Sequence, residues 1–476
     1  MLFNSIQFVI FFIVVTSLYF TLPHNKRWLL LLLSSCYFYM AFVPIYILIL
    51  GFTIVIDYIA GIYIENAKGR RRKLFLIMSL VANIGVLAVF KYWNFIVENF
   101  SYLLHGFGLT NALPYLSILL PIGLSFHTFQ AMSYTIEVYR GHQKAERHFG
   151  IYSLYVMFYP QLVAGPIERP QNLLHQFREQ HHFDYERVVE GLKLILWGLV
   201  KKLVIADRLA LYVNAVYNNP DQHSGLTLIL ATIFFAFQIY CDFSAYSDIA
   251  IGAAKVMGFK LMTNFNRPYF SRSIAEFWKR WHISLSTWFR DYLYISLGGN
   301  KVSIPRWYFN LFFVFLVSGL WHGANWTFII WGALNGFYLV FALLTRGVRD
   351  KINKISGIAR LPRIHTALQI IITFILACFA WIFFRANNVK DAFVIIKKMA
   401  GLSGPIWYEN PSMLIYSFGA IFLLFIAETK QEYYKGSISL MNNKNWLIRN
   451  LVYALLIILI LLIGVFDGGQ FIYFQF

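Results

Sequence analysis

The chain has 476 residues, of which 59% are hydrophobic and 13% charged, and its formal net charge is +19. Ordinary soluble domains carry roughly a quarter charged residues. The apolar residues occur in runs long enough to cross a bilayer as helices, whereas the short alternating strands of a membrane barrel do not dominate. Because the basic residues collect in short loops between these runs, we attribute the positive charge to cytoplasmic loops rather than to nucleic-acid binding. The composition predicts an all-α, polytopic membrane protein.

The first five predicted spans are residues 5–22, 28–43, 44–63, 74–96 and 116–138. The start of the chain has no basic n-region, so we interpret residues 5–22 as a span and not as a cleaved signal. Basic residues follow the first and third spans, at 26–27 and 68–73, whereas the loop near 97–115 contains no Lys or Arg. The positive-inside rule therefore puts the N-terminus outside and both basic loops in the cytoplasm.

The next apolar segment, 151–167, is interrupted at its end, where it runs into the motif AGPIERP (164–170). Its prolines and glycine break a helix, so we predict a re-entrant segment. The later spans are 188–206, 226–243, 306–321, 324–344, 365–384, 412–427 and 447–466. The basic loop at 346–363 is predicted to be cytoplasmic and residues 467–476 to lie outside. We expect one integral-membrane domain, 1–476, of about 10–13 transmembrane and re-entrant helices.

His322 is a titratable residue within the apolar run VFLVSGLWHGANWTFIIWG (314–332). An ionisable group in a membrane segment is energetically expensive and is by default a candidate functional residue. Its neighbours Gly323 and Ala324 are small, so another backbone or a ligand can approach closely. The structural alternative is a histidine that packs and hydrogen-bonds between helices. If both flanking segments span fully, His322 lies at an outer turn, unless that turn is sunk into a cavity.

A second group of polar residues occupies positions 238–252. If this segment is helical, Gln238, Asp242 and Tyr246 share one face, because residues four apart are neighbours on a helix. Asp242 and Asp248 could ligate a cation, relay a proton or orient a histidine. The alternative is a structural carboxylate paired with a lysine or arginine, since buried charges must be paired whatever their role.

The segment 277–292 is aromatic, contains His282, and is too charged to span a membrane. We predict that it lies at the membrane interface or lines a cavity. Lys279, Arg280 and Arg290 could bind the phosphates of a donor. The alternative is an anchor in the lipid headgroups, with interfacial aromatic residues and basic side chains that extend to the surface.

Sequence motifs for other chemistries are absent. There is no phosphate-binding GxxxxGK[ST] loop, no GxGxxG after a strand, and no CxxC or HExxH. We therefore predict no metal site and no tightly bound cofactor. His127 is a weaker candidate for a functional histidine.

Six blocks, in chain order, carry a family resemblance: PIGLSFHTFQAMSY (121–134), QLVAGPIERP (161–170), CDFSAYSDIAIG (241–252), NRPYFSRSIAEFWKRWHISLSTWFRDYLYISLGG (266–299), SGLWHGANWTFIIWG (318–332) and WIFFRA (381–386). The sequence resembles the membrane-bound O-acyltransferase (MBOAT) family, in particular the bacterial branch of alginate and peptidoglycan O-acetyltransferase membrane subunits. The resemblance implies a ring of helices around a thinned centre, where a cytoplasmic and an outer funnel meet near a catalytic histidine.

The resemblance implies that His322 is catalytic and that His282 is a second residue of the site. The candidate residues for binding the acyl donor or substrate are Asn325, Trp321, Asp242, Arg290 and Ser284. A neutral imidazole could take the proton of an attacking hydroxyl or carry the acyl group itself, and both remain open. Asn325 or backbone amides near Gly323 could stabilise the oxyanion.

The implied donor is acetyl-CoA, which the basic cytoplasmic loops would attract. The implied acceptor is an extracytoplasmic polysaccharide or peptidoglycan, with a periplasmic SGNH-hydrolase-like partner finishing the transfer, and the implied location is the bacterial cytoplasmic (inner) membrane. Three alternatives stay open at this point: a D-alanyl transferase of the same family, a transporter with a proton relay of Asp242, Asp248 and His322, and a scaffold for polysaccharide export.

Overall fold

The computed structural model describes residues 1–117, 120–163, 165–434, 440–466 and 471–472. Within these ranges every regular element is a helix. The first eleven α-helices are α1 (Ile6–Thr21), α2 (His24–Met40), α3 (Ile47–Asn66), α4 (Gly69–Leu87), α5 (Trp93–Gly106), α6 (Leu124–Arg140), α7 (Phe149–Met157), α8 (Tyr159–Leu162), α9 (Pro170–Leu173), α10 (Tyr185–Leu199) and α11 (Asp207–Tyr217). The remaining ten are α12 (Gly225–Met257), α13 (Ile274–Arg280), α14 (Ile283–Trp288), α15 (Ile304–His322), α16 (Trp326–Leu344), α17 (Arg346–Ile355), α18 (Pro362–Arg385), α19 (Val389–Ala400), α20 (Pro411–Tyr433) and α21 (Trp446–Ile463).

Among the described residues, eight helices are long and apolar enough to cross a membrane, and α1 is a shorter apolar helix of the same character. The predicted class, an all-α multi-pass membrane protein, is confirmed. Several of the 10–13 predicted segments are too short to span a membrane or are interrupted. Prolines, glycines and charged residues at the starts of helices divide the apolar runs. The predicted ring of helices around a central funnel stays a prediction.

The boundaries of the fourth and fifth predicted spans differ from the structure. A single helical stretch runs over Gly69–Gly106 and so extends well into the predicted outer loop, which was expected to begin near residue 97. The next helix begins only at Leu124, because Gly123 before it adopts a left-handed conformation with φ of 77°. Pro121 has no backbone N–H to donate and its ring clashes with the preceding helical turn, so a regular helix cannot run through this residue. Residues 118–119 of the predicted fifth span, and residues 467–470 and 473–476 of the predicted outer terminus, lie outside the described residues.

The predicted interruption near AGPIERP is confirmed for its described part, from which Ala164 is excluded. The short helices α7 and α8 precede it, and residues 166–169 have no regular structure before α9. This irregular backbone is held from both sides: the Glu168 carbonyl accepts a 2.9 Å hydrogen bond from the Tyr155 hydroxyl, and the Glu168 carboxylate accepts the backbone N–H of Met262. The depth of this segment in the membrane stays a prediction.

Two compact units share the chain, the first formed by residues 1–195 and 246–262 and the second by 196–245 and 263–476. The prediction of a single domain over 1–476 stays a prediction. In the first unit, α3, α4 and α6 pack around a buried carboxylate, Asp57. Asp57 accepts hydrogen bonds from Ser79 Oγ at 2.6 Å and from Asn83 Nδ2 at 2.8 Å. Such polar contacts hold apolar helices together within a membrane.

In the second unit, the hydrophobic core is built on large aromatic side chains. Trp281, Trp331 and Trp381 are almost completely buried in it. Trp281 lies in the turn between α13 and α14, while Trp331 and Trp381 come from the long helices α16 and α18. Both candidate histidines lie beside this core, because His322 packs on Trp331 and His282 packs on Phe265 at its edge.

Candidate active site

His322 is the last residue of α15, and the chain turns directly into α16. The turn is compact because Gly323 has no side chain: a Cβ atom there would lie only 2.1 Å from the Phe328 ring. The small residue after His322 therefore makes room for an aromatic ring of α16, and the close approach of a ligand at this turn stays a prediction. The side chain of His322 is only 3% exposed. The helix end thus holds a buried imidazole in a tightly packed turn.

The imidazole of His322 is enclosed by aromatic rings. Trp321 and Trp331 each lie 4.9 Å from it between ring centroids, and Phe384 of α18 lies 5.3 Å away. All three rings meet it edge to face, the arrangement that aromatic quadrupoles favour. Surroundings of low polarity strengthen any electrostatic interaction made by a reacting group there.

His282 lies in the short turn between α13 and α14 and is 1% exposed. Its φ of 43° is in the left-handed region, which is uncommon for a residue with a side chain. Burial lowers the pKa of the His282 imidazole to about 3, so the ring is neutral at physiological pH. In a neutral imidazole one ring nitrogen carries a hydrogen and the other carries a lone pair.

The Trp321 ring contacts both histidines. Its ring centroid is 4.9 Å from that of His322 and 6.3 Å from that of His282. His282 also packs edge to face on Phe243 of α12, with the centroids 4.6 Å apart. The fold therefore brings three predicted site residues together, with His322 and His282 both packed on the indole of Trp321.

Ser284, a further predicted site residue, is completely buried in the first turn of α14. Its hydroxyl donates a 2.9 Å hydrogen bond to Oδ1 of Asn264. The same oxygen lies 3.1 Å from Nδ1 of His282. Ser284 is thus tied to the His282 turn through Asn264.

Asn325 is the N-cap of α16, where its Oδ1 accepts the backbone N–H of Thr327 at 3.0 Å. Asparagine is among the preferred residues at this position, because its side chain satisfies an otherwise unpaired helical N–H. Nδ2 of Asn325 donates a long 3.4 Å hydrogen bond to the backbone carbonyl of Asn387. The side chain therefore has a structural role at the turn after His322, and oxyanion binding by this amide remains a proposal.

Asp242 lies in α12, which continues past the predicted end of the span at 243 and is helical over the whole polar segment 238–252. Its Oδ1 accepts a 2.6 Å hydrogen bond from Nζ of Lys202, and its Oδ2 accepts the backbone N–H of Ile472 at 2.7 Å. Lys202 is 1% exposed and also pairs with Asp207 at 2.8 Å. This geometry matches the structural alternative that the sequence left open, a buried carboxylate paired with a lysine.

Arg290 is exposed and pairs with the neighbouring Asp291 at 2.8 Å. In the same segment, Trp278, Trp281 and Trp288 are buried. Rings in an aromatic belt would lie at the membrane surface, so this burial argues against a headgroup anchor and for a segment that packs into the protein.

The contacts of Asn264, Lys202 and Phe384 with predicted site residues were not identified from the sequence. Asn264, Lys202 and Phe384 each reach a predicted site residue from a distant part of the chain. Lys202 had a local signal, since a lysine within the apolar run 194–206 needs a partner. Asn264 lies in an ordinary polar loop, and Phe384 is one apolar residue among many in α18, so neither had a signal of its own.

Comparison with known proteins identifies the family of this chain. The chain belongs to the MBOAT, membrane-bound O-acyltransferase, family, whose model matches residues 148–388. It is 41% identical over 404 residues to the Probable alginate O-acetylase of Pseudomonas aeruginosa, a match that covers 84% of this chain and 75% of the relative. It is 35% identical over 443 residues to the Peptidoglycan O-acetyltransferase of Helicobacter pylori, covering 85% and 80% respectively.

A more distant relative is the Teichoic acid D-alanyltransferase of Streptococcus thermophilus, which is 31% identical over 323 residues and matches 62% of this chain. The predicted family resemblance is confirmed, and the chain is an O-acyltransferase of the membrane. The transporter and scaffold alternatives are set aside accordingly.

Proposed function

We propose that this enzyme moves an acetyl group from a cytoplasmic thioester to a hydroxyl outside the cytoplasmic membrane, with His322 as the catalytic residue and His282 as the second histidine of the site. The observation that carries the proposal is the shared packing of both buried rings against Trp321. Two titratable rings buried against the same indole in an acyltransferase are best explained by proton transfer, because buried ionisable groups are costly to keep.

The chemistry requires one bond to form and one to break. The hydroxyl oxygen of the acceptor attacks the acyl carbon, and the neutral imidazole of His322 takes the hydroxyl proton. The carbon–sulfur bond then breaks, and the imidazolium returns the proton to the leaving thiolate. The products are an ester and a free thiol, and the protein ends in its starting state. An alternative course, in which His322 first carries the acyl group, has the same overall balance.

Acetyl-CoA is the proposed donor, and the cytoplasm is the proposed side of entry. The loop at 346–363 and the other basic loops are the support, because positive loops face the cytoplasm and attract an anionic thioester. On this orientation both termini face away from the cytoplasm. Arg290, which is exposed, is proposed to contact the donor phosphates.

The proposed acceptor is an extracytoplasmic polysaccharide or peptidoglycan hydroxyl, reached directly or through a periplasmic SGNH-hydrolase-like partner. The names of the two relatives that match most of the chain, an alginate O-acetylase and a peptidoglycan O-acetyltransferase, support this acceptor class. D-alanyl transfer is the second candidate, supported by the teichoic acid D-alanyltransferase relative. That relative matches 62% of the chain against 84% for the alginate O-acetylase, so acetyl transfer is preferred.

The test uses membrane vesicles from cells that produce the enzyme together with its native glycan. Radiolabelled acetyl-CoA is added to everted vesicles, whose cytoplasmic face is outward, and in parallel to right-side-out vesicles. We expect label in the luminal glycan of everted vesicles only, and none with His322→Gln. Label from right-side-out vesicles would contradict the orientation, and transfer by His322→Gln at the wild-type rate would contradict the catalytic assignment. Transfer from a D-alanyl carrier protein but not from acetyl-CoA would favour the second candidate.

A further inference from the structure

The side-chain oxygen of Asn264 is surrounded by three hydrogen-bonding groups of the His282 turn. The backbone N–H of Ser284 lies 3.2 Å from it, the hydroxyl of Ser284 2.9 Å, and Nδ1 of His282 3.1 Å. Asn264 is itself fully buried, and its backbone carbonyl accepts the N–H of Ile283 at 2.9 Å. One residue, 18 positions earlier in the chain, thus makes side-chain and backbone contacts to the turn that carries His282.

These contacts determine which nitrogen of His282 carries its hydrogen. A backbone N–H can only donate, so the Asn264 atom that faces Ser284 must be the amide oxygen and not the amide nitrogen. An amide oxygen can only accept, so Nδ1 of His282 must be the donor in its contact with that oxygen. A neutral imidazole has one N–H. When Nδ1 carries it, the lone pair lies on Nε2, and Nε2 is then the nitrogen that can accept a proton.

We propose that Asn264 is a positioning residue, which holds His282 in the Nδ1–H tautomer and so presents the lone pair of Nε2 to the reaction. The left-handed backbone of His282 supports this role, since a φ of 43° is costly and persists only where surrounding contacts enforce it. A fixed tautomer and ring orientation let an imidazole exchange protons without first rotating or tautomerising. This inference rests on the proposed function, because it assumes that His282 takes part in transfer.

The decisive comparison is between Asn264→Ala and Asn264→Asp. Alanine removes the acceptor, whereas aspartate keeps an oxygen for all three donors. We expect Asn264→Ala to lower kcat by roughly 10- to 100-fold, as when groups that orient metal-bound histidines are removed, and to leave the KM for acetyl-CoA unchanged. We expect Asn264→Asp to retain most of the wild-type kcat near pH 8. At lower pH its rate should fall, because a carboxylate beside Nδ1–H favours the charged imidazolium, which has no lone pair to offer.

Asn310→Ala is the matched control. Asn310 is also a fully buried asparagine of the second unit, but it donates to the backbone carbonyls of Leu297 and Gly299, 3.1 and 3.0 Å away, near the opposite end of α15 from His322. Its loss should lower the melting temperature without changing kcat per folded molecule. All variants are compared as purified full-length protein in lipid nanodiscs, with the folded fraction measured for each.

The outcomes separate this inference from the proposed function. If His282→Ala is inactive while Asn264→Ala loses rate only in proportion to its folded fraction and Asn264→Asp keeps the wild-type pH profile, Asn264 is merely structural and the inference is wrong. If His282→Ala has the wild-type kcat, the proposed role of His282 fails, and the tautomer inference fails with it. A selective loss of kcat with alanine, rescued by aspartate at alkaline pH only, supports both.

Discussion

Gly319 of α15 and Gly332 of α16 are in direct backbone contact. A Cβ atom on Gly319 would lie 3.0 Å from the Cα of Gly332 and 2.3 Å from the carbonyl oxygen of Phe328. Side chains essentially never approach so closely, so only glycine allows the two helices to pack backbone to backbone. Because His322 follows Gly319 by less than one helical turn, this contact also sets the position of the imidazole.

We therefore expect Gly319→Ala to damage both stability and catalysis. The added methyl group must push the helices apart, at a cost of about 1–3 kcal/mol in the free energy of unfolding. A displacement of His322 near 1 Å could lower kcat by as much as about 100-fold. Gly419→Ala is the control, because Gly419 lies within α20 and a Cβ atom added there would have no other atom within 4 Å. The free energy of unfolding of this control variant should rise by roughly 0.5–1 kcal/mol, because alanine has a higher helix propensity than glycine. Wild-type melting and kcat for Gly319→Ala would rule out the tight contact.

Replacing His322 should abolish the proton transfer while largely preserving packing. We choose His322→Gln over alanine, because glutamine fills more of the space between Trp321, Trp331 and Phe384. The rate should fall by about 10²- to 10⁴-fold, the usual contribution of a general acid–base residue. His127→Gln is a matched control in the first unit, where His127 is buried and its Nε2 lies 3.3 Å from Thr53 Oγ1. That variant should melt at a lower temperature, with the rate per folded molecule unchanged.

Lys202→Met should lower stability far more than catalysis. It leaves the two buried carboxylates of Asp242 and Asp207 without the ammonium group that they share. Removing one partner of a buried ion pair typically costs about 3–5 kcal/mol. Thermal unfolding in detergent, measured beside the rate per folded molecule, checks this. A role for Asp242 in a proton relay would show itself differently, since Asp242→Asn would then lose rate well beyond its loss of folded protein.

Arg290→Ala should weaken donor binding modestly. Its guanidinium is exposed, and an interaction with phosphates in water is worth about 0.2–1 kcal/mol, as for other surface ion pairs. The KM for acetyl-CoA should therefore rise by no more than about 5-fold, with kcat unchanged. The difference from wild type should shrink as salt is added, because salt screens exposed charges. Arg306→Ala, at an exposed arginine near the start of α15, should leave KM unaltered. Identical KM values for Arg290→Ala and wild type at low salt would remove Arg290 from the donor site.

Much of the architecture could be read from local sequence, because hydropathy and helix-breaking residues act over short stretches of chain. The multi-pass helical class, the break before Pro170 and the helix through Asp242 were predicted correctly. The start of α6 was misplaced, because the apolar residues before Gly123 look like helix although the backbone turns there. The close neighbour of Gly323 is a ring of the following helix, a contact that a small residue permits but that its position in the sequence does not specify.

Local sequence is enough to establish that this chain is built from membrane helices and that His322 is an unusual residue among them, because both follow from which residue types stand next to one another. Which side chains meet depends instead on the folded arrangement of the helices. Asn264 reaches His282 from 18 positions away and Lys202 reaches Asp242 from 40. An apolar pattern indicates that a polar side chain must find a partner, but the partner depends on how distant helices pack, and no local pattern records that.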